Sequence, residues 1–287
     1  MALATRGSNV SLSAVRRALT TGFDSGKVAL PVLPRVSSRV MTMANDPNAD
    51  VADLSDLIHQ DQSLAGNVLR IANSAAYCIG EPVVSLKQAV MRLGMNTVSE
   101  IAVAACLMGK DFQTPGYEDY RKRMLVHAFI AGGFGKELAR QKRRNVEAMF
   151  LCGLLHSIGK PVVLRVICDL QKGARSLLPP GDVIPLVEAF QHRAAGMVAK
   201  AWGLPEQVRV TAMFHETPEQ APAFADETLM TALAARLATW VVNSLPDDAE
   251  DPRAFPEWEP LSFYPDEVDA VLERREALEQ SASIFMS

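Results

Sequence analysis

Residues 54–72 read LSDLIHQDQSLAGNVLRIA. Leu54, Leu57, Ile58, Leu64, Ala65, Val68, Leu69 and Ala72 recur at spacings of three and four, the repeat of a helix with one apolar face. Asp61 interrupts the stripe and predicts the cap of a second helix that runs to about residue 76. Outward from this stretch the period stays helical. Ser85 and Gln88 fit a capping box before Leu86, Ala89, Val90 and Leu93, with Gly94 as a left-handed stop. Thr97 and Glu100 fit a second box before an apolar helix, 101–108. Further helices are predicted at about 118–142, 146–158, 161–172, 183–202, 205–215, 226–244 and 266–282. No segment alternates with period two. The fold class is all-α, with two helical subdomains, 1–115 and 116–287. Their boundary lies in the connection Asp111–Gly116, which holds Pro115 and Gly116. The proline-rich stretch 245–265 reads as an irregular excursion packed through Trp258 and Phe263.

The chain has 287 residues, enough for a full core without staples. Hydrophobic residues at 48% and charged residues at 22% exclude a disordered or collagenous chain. Lys plus Arg is 29 against 33 Asp plus Glu, a net charge of −4, which argues against a strongly cationic nucleic-acid binder. The four cysteines, Cys78, Cys106, Cys152 and Cys168, form no C-x-x-C pair and read as buried thiols of a reducing cytoplasm. The apolar run 101–109 is short of the roughly 20 residues a bilayer span needs.

Several segments imitate chemistry. Gly153-Leu-Leu-His-Ser-Ile-Gly159-Lys160 resembles a phosphate loop, but five residues separate its glycines and Pro161 replaces the Ser/Thr. Gly132, Gly133 and Gly135 lack a preceding strand and read as close helix packing. The helix pair 85–93 and 97–108 imitates a helix-turn-helix, yet its second helix carries no Lys or Arg to meet phosphates. Lys136, Arg140, Lys142, Arg143 and Arg144 read either as a positive helix end or as a docking patch for an acidic partner or nucleic acid.

The histidines carry the sharper signal. His59 reads as surface. His127, His156, His192 and His215 each fall on a different predicted helix, and histidines converging from several helices can build a metal site. Each alone also suits an ordinary packed histidine. Glu188 precedes His192 by four residues and so shares its helix face, where it would orient the ring.

These blocks together resemble the HDOD family, the HD-related output domain of bacterial signalling proteins and a branch of the HD phosphohydrolases. The resemblance rests on Leu30-Pro-Val-Leu-Pro34, Ile58-His-Gln-Asp-Gln-Ser-Leu64, Leu69-Arg-Ile-Ala-Asn-Ser-Ala75 and Ala89-Val-Met-Arg-Leu-Gly94, with Asn73-Ser74 and Arg92-Leu-Gly94 as its strongest parts. Further along, His127, Gly153-Leu-Leu-His156, Glu188 with His192, Trp202-Gly-Leu-Pro205 and His215-Glu-Thr-Pro218 match the later blocks. The resemblance covers roughly residues 25–280.

The resemblance implies a family-specific N-terminal bundle, an HD-like C-terminal bundle, and a site in the cleft between them. It also implies His127, His156, His192 and His215 as ligands of one divalent metal ion: zinc, iron, manganese or nickel. Two HD-type aspartates are replaced, by Ser157 after His156 and by Ala235 within Leu233-Ala-Ala-Arg-Leu-Ala238, and Phe214 stands before His215 where a second histidine is frequent. Carboxylates bridge metals and activate water in two-metal hydrolysis, so their loss weighs against enzymatic activity and no catalytic residue is assigned. The expected function is a cytoplasmic regulatory module that binds a signalling protein or a small nucleotide-type ligand. Specific nucleic-acid binding and membrane association are not expected. The alternative is a metal-dependent phosphohydrolase or phosphodiesterase acting on a nucleotide-type substrate.

Overall fold

The computed structural model describes residues 10–31, 35–44, 46, 49–73, 80–109, 112–243 and 250–283. Among them there is no strand. α1 (Leu12–Asp24) starts at Ser11, whose Oγ accepts from the Ala14 amide at 3.3 Å, and it buries Val15, Leu19 and Phe23. α2 spans Arg35–Ala44. These two helices are additional to those predicted from periodicity. The signal for α1 is a serine cap followed by apolar residues every fourth position.

α3 (Val51–His59) and α4 (Gln62–Ala72) divide where predicted. The Asp61 carboxylate accepts from the Ser63 and Leu64 amides at 3.0 and 3.1 Å. Leu64, Val68 and Ile71 are buried, whereas Leu69 is half-buried, and His59 is exposed. Of the Asn73-Ser74 pair, Ser74 lies outside the described residues, as does Cys78. Asn73 ends α4 and grips Val83 from both sides: its Nδ2 donates to the Val83 carbonyl at 2.9 Å and its Oδ1 accepts from the Val83 amide at 2.8 Å.

α5 (Leu86–Leu93) is capped by Ser85, but Gln88 accepts from the Val84 amide rather than closing on Ser85. Arg92 donates to the Glu81 carbonyl at 2.7 Å, and Gly94 has φ +80°, so the Arg-Leu-Gly block fixes the loop and the exit of α5. α6 (Met95–Met108) starts immediately after Gly94, two residues before the expected cap. The Val98 amide already donates to the Gly94 carbonyl at 3.2 Å, so Thr97 lies inside the helix, and Glu100 is free to pair with Lys136.

The second half holds α7 (Glu118–Gln141), α8 (Val146–Leu155), α9 (Gly159–Leu170), α10 (Pro180–Ala201), α11 (Glu206–Phe214), α12 (Ala225–Val242), α13 (Pro265–Leu272) and α14 (Arg275–Ser283). The single terminal helix predicted at 266–282 is thus two. In the excursion before it, Trp258 is buried, its indole donates to the Pro252 carbonyl at 2.7 Å, and Phe263 packs edge-on at 5.1 Å.

Helices α2–α6 pack chiefly on one another, as do α7–α14. Two features modify the expected division. One apolar core runs through both groups. Moreover, α1 packs on α9 and α10 of the second group, where Phe23 stacks on Phe190 at 5.6 Å and Asp24 pairs with Arg193. Trp202, at the end of α10, donates to the Pro31 carbonyl at 2.9 Å and ties the segment after α1 to the same group. Residues 146–170 are apolar enough for a membrane span by length and composition, but they are mostly buried in this core and broken by the turn around residues 156–158.

Candidate functional site

The glycines of the false phosphate loop create the site. A Cβ on Gly153 would lie 2.4 Å from the Ala131 carbonyl oxygen, and one on Gly159 would lie 1.8 Å from that of Gln191. Both distances are below contact, so α8 meets α7, and α9 meets α10, at backbone separation. Gly135, facing the Met149 carbonyl at 2.7 Å, completes the α7–α8 seam. His156 sits in the turn between these two seams and is buried with Ser157.

Four imidazoles form a chain there. The His127 and His156 ring centroids are 5.3 Å apart, those of His156 and His215 4.9 Å, and those of His215 and His192 5.5 Å. His127 projects from α7, His156 and His215 end α8 and α11, and His192 lies on α10. His215 occupies the middle of the chain. His192 and Glu216 stand at its mouth, the Glu216 side chain 49% exposed against 6% for His215. All four rings and their hydrogen-bond partners belong to α7–α12 and their connections. The site therefore lies inside the second helix group rather than in a cleft between the two halves.

The partners fix the proton positions, since a carbonyl only accepts. His127 Nε2–H donates to the Ala235 carbonyl at 3.0 Å and to Thr239 Oγ1 at 2.9 Å. His156 Nδ1–H donates to the Gly153 carbonyl at 2.6 Å. His192 Nε2–H donates to Glu216 Oε2 at 2.8 Å. The buried Nδ1 atoms of His192 and His215 and Oε1 of Gln191 find no hydrogen-bond partner among the described residues.

Burial keeps the inner rings neutral. It pushes His127 down to about 4, aided by the Lys160 charge and opposed by the bond to Ala235. Burial also pushes His215 down to about 4, where Glu216 opposes it and His192 and Lys160 add to it. His156, fully enclosed, is held well below the ordinary imidazole value by burial and then by its two histidine neighbours. Burial raises Glu216, but the hydrogen bond and charge of His192 outweigh it and keep the carboxylate ionised.

Glu188 does not orient His192. Its carboxylate accepts from Lys160 Nζ at 2.9 Å and from Gln191 Nε2 at 2.7 Å, while Gln191 also reaches Glu216 at 2.9 Å. An ammonium within reach is a strong partner for a carboxylate. Glu216 takes the orienting role instead; its signal in sequence was its place directly after His215. Lys160 and Gln191 lie one turn past His156 and one residue before His192, positions that periodicity alone does not single out.

The donor set does not fit a hydrolytic metal centre as arranged. Ser157 and Ala235 supply no carboxylate, and the Ala235 carbonyl holds the His127 Nε2–H in its place. Among the described residues, no three His, Cys, Asp or Glu side chains bring donor atoms to one point. The basic cluster is likewise committed internally. Lys136 pairs with Glu100 at 2.7 Å, Arg140 with Glu137, Lys142 with Glu267 at 2.7 Å, and Arg144 with Asp226 at 2.7 Å. These ties fasten α6, α12 and α13 to the end of α7, and they remove most of the free charge that a docking patch would use.

A family model for the HDOD domain matches residues 30–218. A protein of uncharacterised function from Treponema pallidum (strain Nichols) is 24% identical over 245 residues, 82% of this chain and 46% of its own length. The chain therefore spans about half of that relative. Among solved structures, a candidate metal-dependent phosphohydrolase from Shewanella amazonensis SB2B superposes with a TM-score of 0.69 at 18% identity, covering 94% of this chain and 99% of its own. An HDOD domain protein of unknown function from Geobacter sulfurreducens gives 0.68 at 22% identity, covering 95% and 98%. A candidate signal transduction protein from Marinobacter aquaeolei VT8 gives 0.62 at 20% identity, covering 97% and 69%. At these identities the structural matches carry the fold.

Proposed function

This chain belongs to the HDOD family, and on that premise we propose that it is a regulatory module of signal transduction that performs no hydrolysis. It acts by binding a protein partner or a small nucleotide-type ligand at the histidine chain. The carrying observation is the bond from His127 Nε2–H to the Ala235 carbonyl. At that position a carboxylate would have to stand for metal-assisted attack by water, and the ring is instead locked to the backbone. Three neutral rings side by side, with the unpartnered Nδ1 atoms of His215 and His192 at a mouth that also holds Glu216, Lys160 and Glu188, suit recognition of a polar group better than turnover. The buried free thiols of Cys152 and Cys168 are in keeping with a cytoplasmic setting.

The second reading, a metal-dependent phosphohydrolase on a nucleotide-type substrate, draws on the ring spacing of 4.9–5.5 Å. It requires His127 and His192 to leave their present partners. Elemental analysis of the protein purified without chelators separates the two. Metal well below one ion per chain supports the regulatory reading. One zinc, iron, manganese or nickel ion per chain, lost in His156→Ala, supports the second.

A further inference from the structure

We propose that a cavity between α1 and α9 binds an amphipathic anion, an apolar chain ended by one carboxylate or phosphate. This inference stands independently of what the histidine chain does. The cavity measures about 450 Å3, inside the range of about 300–1,000 Å3 usual for small-molecule sites. Ala18, Leu19 and Gly22 of α1, Val28 after it, and Val166 and Leu170 of α9 form apolar walls. Ala14, Ala18 and Gly22, one turn apart on α1, line the cavity together with Val166 and Leu170 of α9, so small side chains on that face of α1 leave the room.

Charge decides the head group. Arg17 and Lys27 also line the cavity; both are exposed, and neither the Arg17 guanidinium nor the Lys27 ammonium makes a hydrogen bond or ion pair among the described residues. Arg193, Arg144 and Lys142, by contrast, each hold a carboxylate. The lining carboxylate, Asp169, is engaged by Lys172 at 2.7 Å and by Arg165 at 3.3 Å, so its charge is offset. An apolar chamber with two unspent cations matches a single-chain anion and disfavours a cationic amphiphile. The geometry also gives such a ligand a route to the histidine chain. Phe23 and Asp24, at the end of α1, hold Phe190 and Arg193 on α10, and Arg193 adjoins His192.

The test is calorimetric titration of the full chain, with thermal unfolding alongside, using decanoate, decyl phosphate, decanol and decyltrimethylammonium as monomers. Decanoate or decyl phosphate should bind and raise the unfolding temperature, the better of the two identifying the head group. Decanol should bind about tenfold more weakly, and the quaternary amine should not bind. Arg17→Glu with Lys27→Glu, two exposed changes that leave the core intact, should weaken the anion about tenfold and leave decanol unchanged. Ala18→Leu, which fills the chamber, should weaken all chains alike. Three results overturn the proposal: no binding of either anion up to its solubility limit, equal binding of the quaternary amine, or unchanged anion affinity in the double charge reversal.

Discussion

Acidification should unfold this protein through its buried imidazoles, and the size of the effect can be worked from His215. An unfolded histidine takes up a proton near 6.5, whereas burial holds His215 down to about 4. Below pH 6.5 the unfolded chain binds a proton that the folded chain refuses, so stability falls as pH falls. The loss continues until the folded ring protonates near 4. At about 1.4 kcal/mol per pH unit, His215 alone costs about 2 kcal/mol by pH 5. His127, also pushed down to about 4, and His156 act with the same sign; His127 is less completely buried than His215 and counts for less. Glu216, depressed below its usual range, adds a loss only below about 4.5. Domains of this kind hold about 5–15 kcal/mol in total, so a drop of several kcal/mol is easily measured. Urea midpoints at pH 7, 6 and 5 provide the assay. His215→Gln removes one titrating ring and should flatten the slope by about 2 kcal/mol between pH 7 and pH 5. A protein equally stable at both, or a variant with the parent's slope, would show that the rings are hydrated and the cluster is open.

The remaining predictions concern packing and the lost carboxylates. Gly159→Ala places a Cβ 1.8 Å from the Gln191 carbonyl oxygen. It should cost about 1–3 kcal/mol or more by forcing α9 from α10; a midpoint unchanged in urea would refute the seam. Leu64→Ala, at a fully buried position, should cost about 2–5 kcal/mol, and half-buried Leu69→Ala less; the reverse order would mean the α4 face is misassigned. Ser157→Asp with Ala235→Asp returns two oxygen ligands and should raise manganese affinity over the parent in calorimetric titration. Equal affinities would show that these positions do not face the histidines.

Much of this was legible in the sequence because helical period and caps are local. Asp61 and Ser85 cap where the pattern says they do. The misses have local causes too. The α6 start moved to Met95 because Gly94 at positive φ serves as both the exit of α5 and the entry of α6. The four histidines were identifiable, and their meeting in one chain is a product of the Gly153 and Gly159 seams, which read first as a failed phosphate loop. Glu188 misled because an i,i+4 relation on α10 says nothing of Lys160 arriving from α9. The basic cluster stayed open between two readings for the same reason: three of its acids come from α6, α12 and α13, and tertiary pairing is invisible to a charge count.

Turnover tests the absence of hydrolytic chemistry most directly. The purified chain, supplied in turn with manganese, iron and zinc, is assayed against phosphomonoester and phosphodiester nucleotides beside its His156→Ala variant. The account predicts equal, background-level hydrolysis in both. Metal-dependent turnover by the parent that disappears in His156→Ala would contradict it.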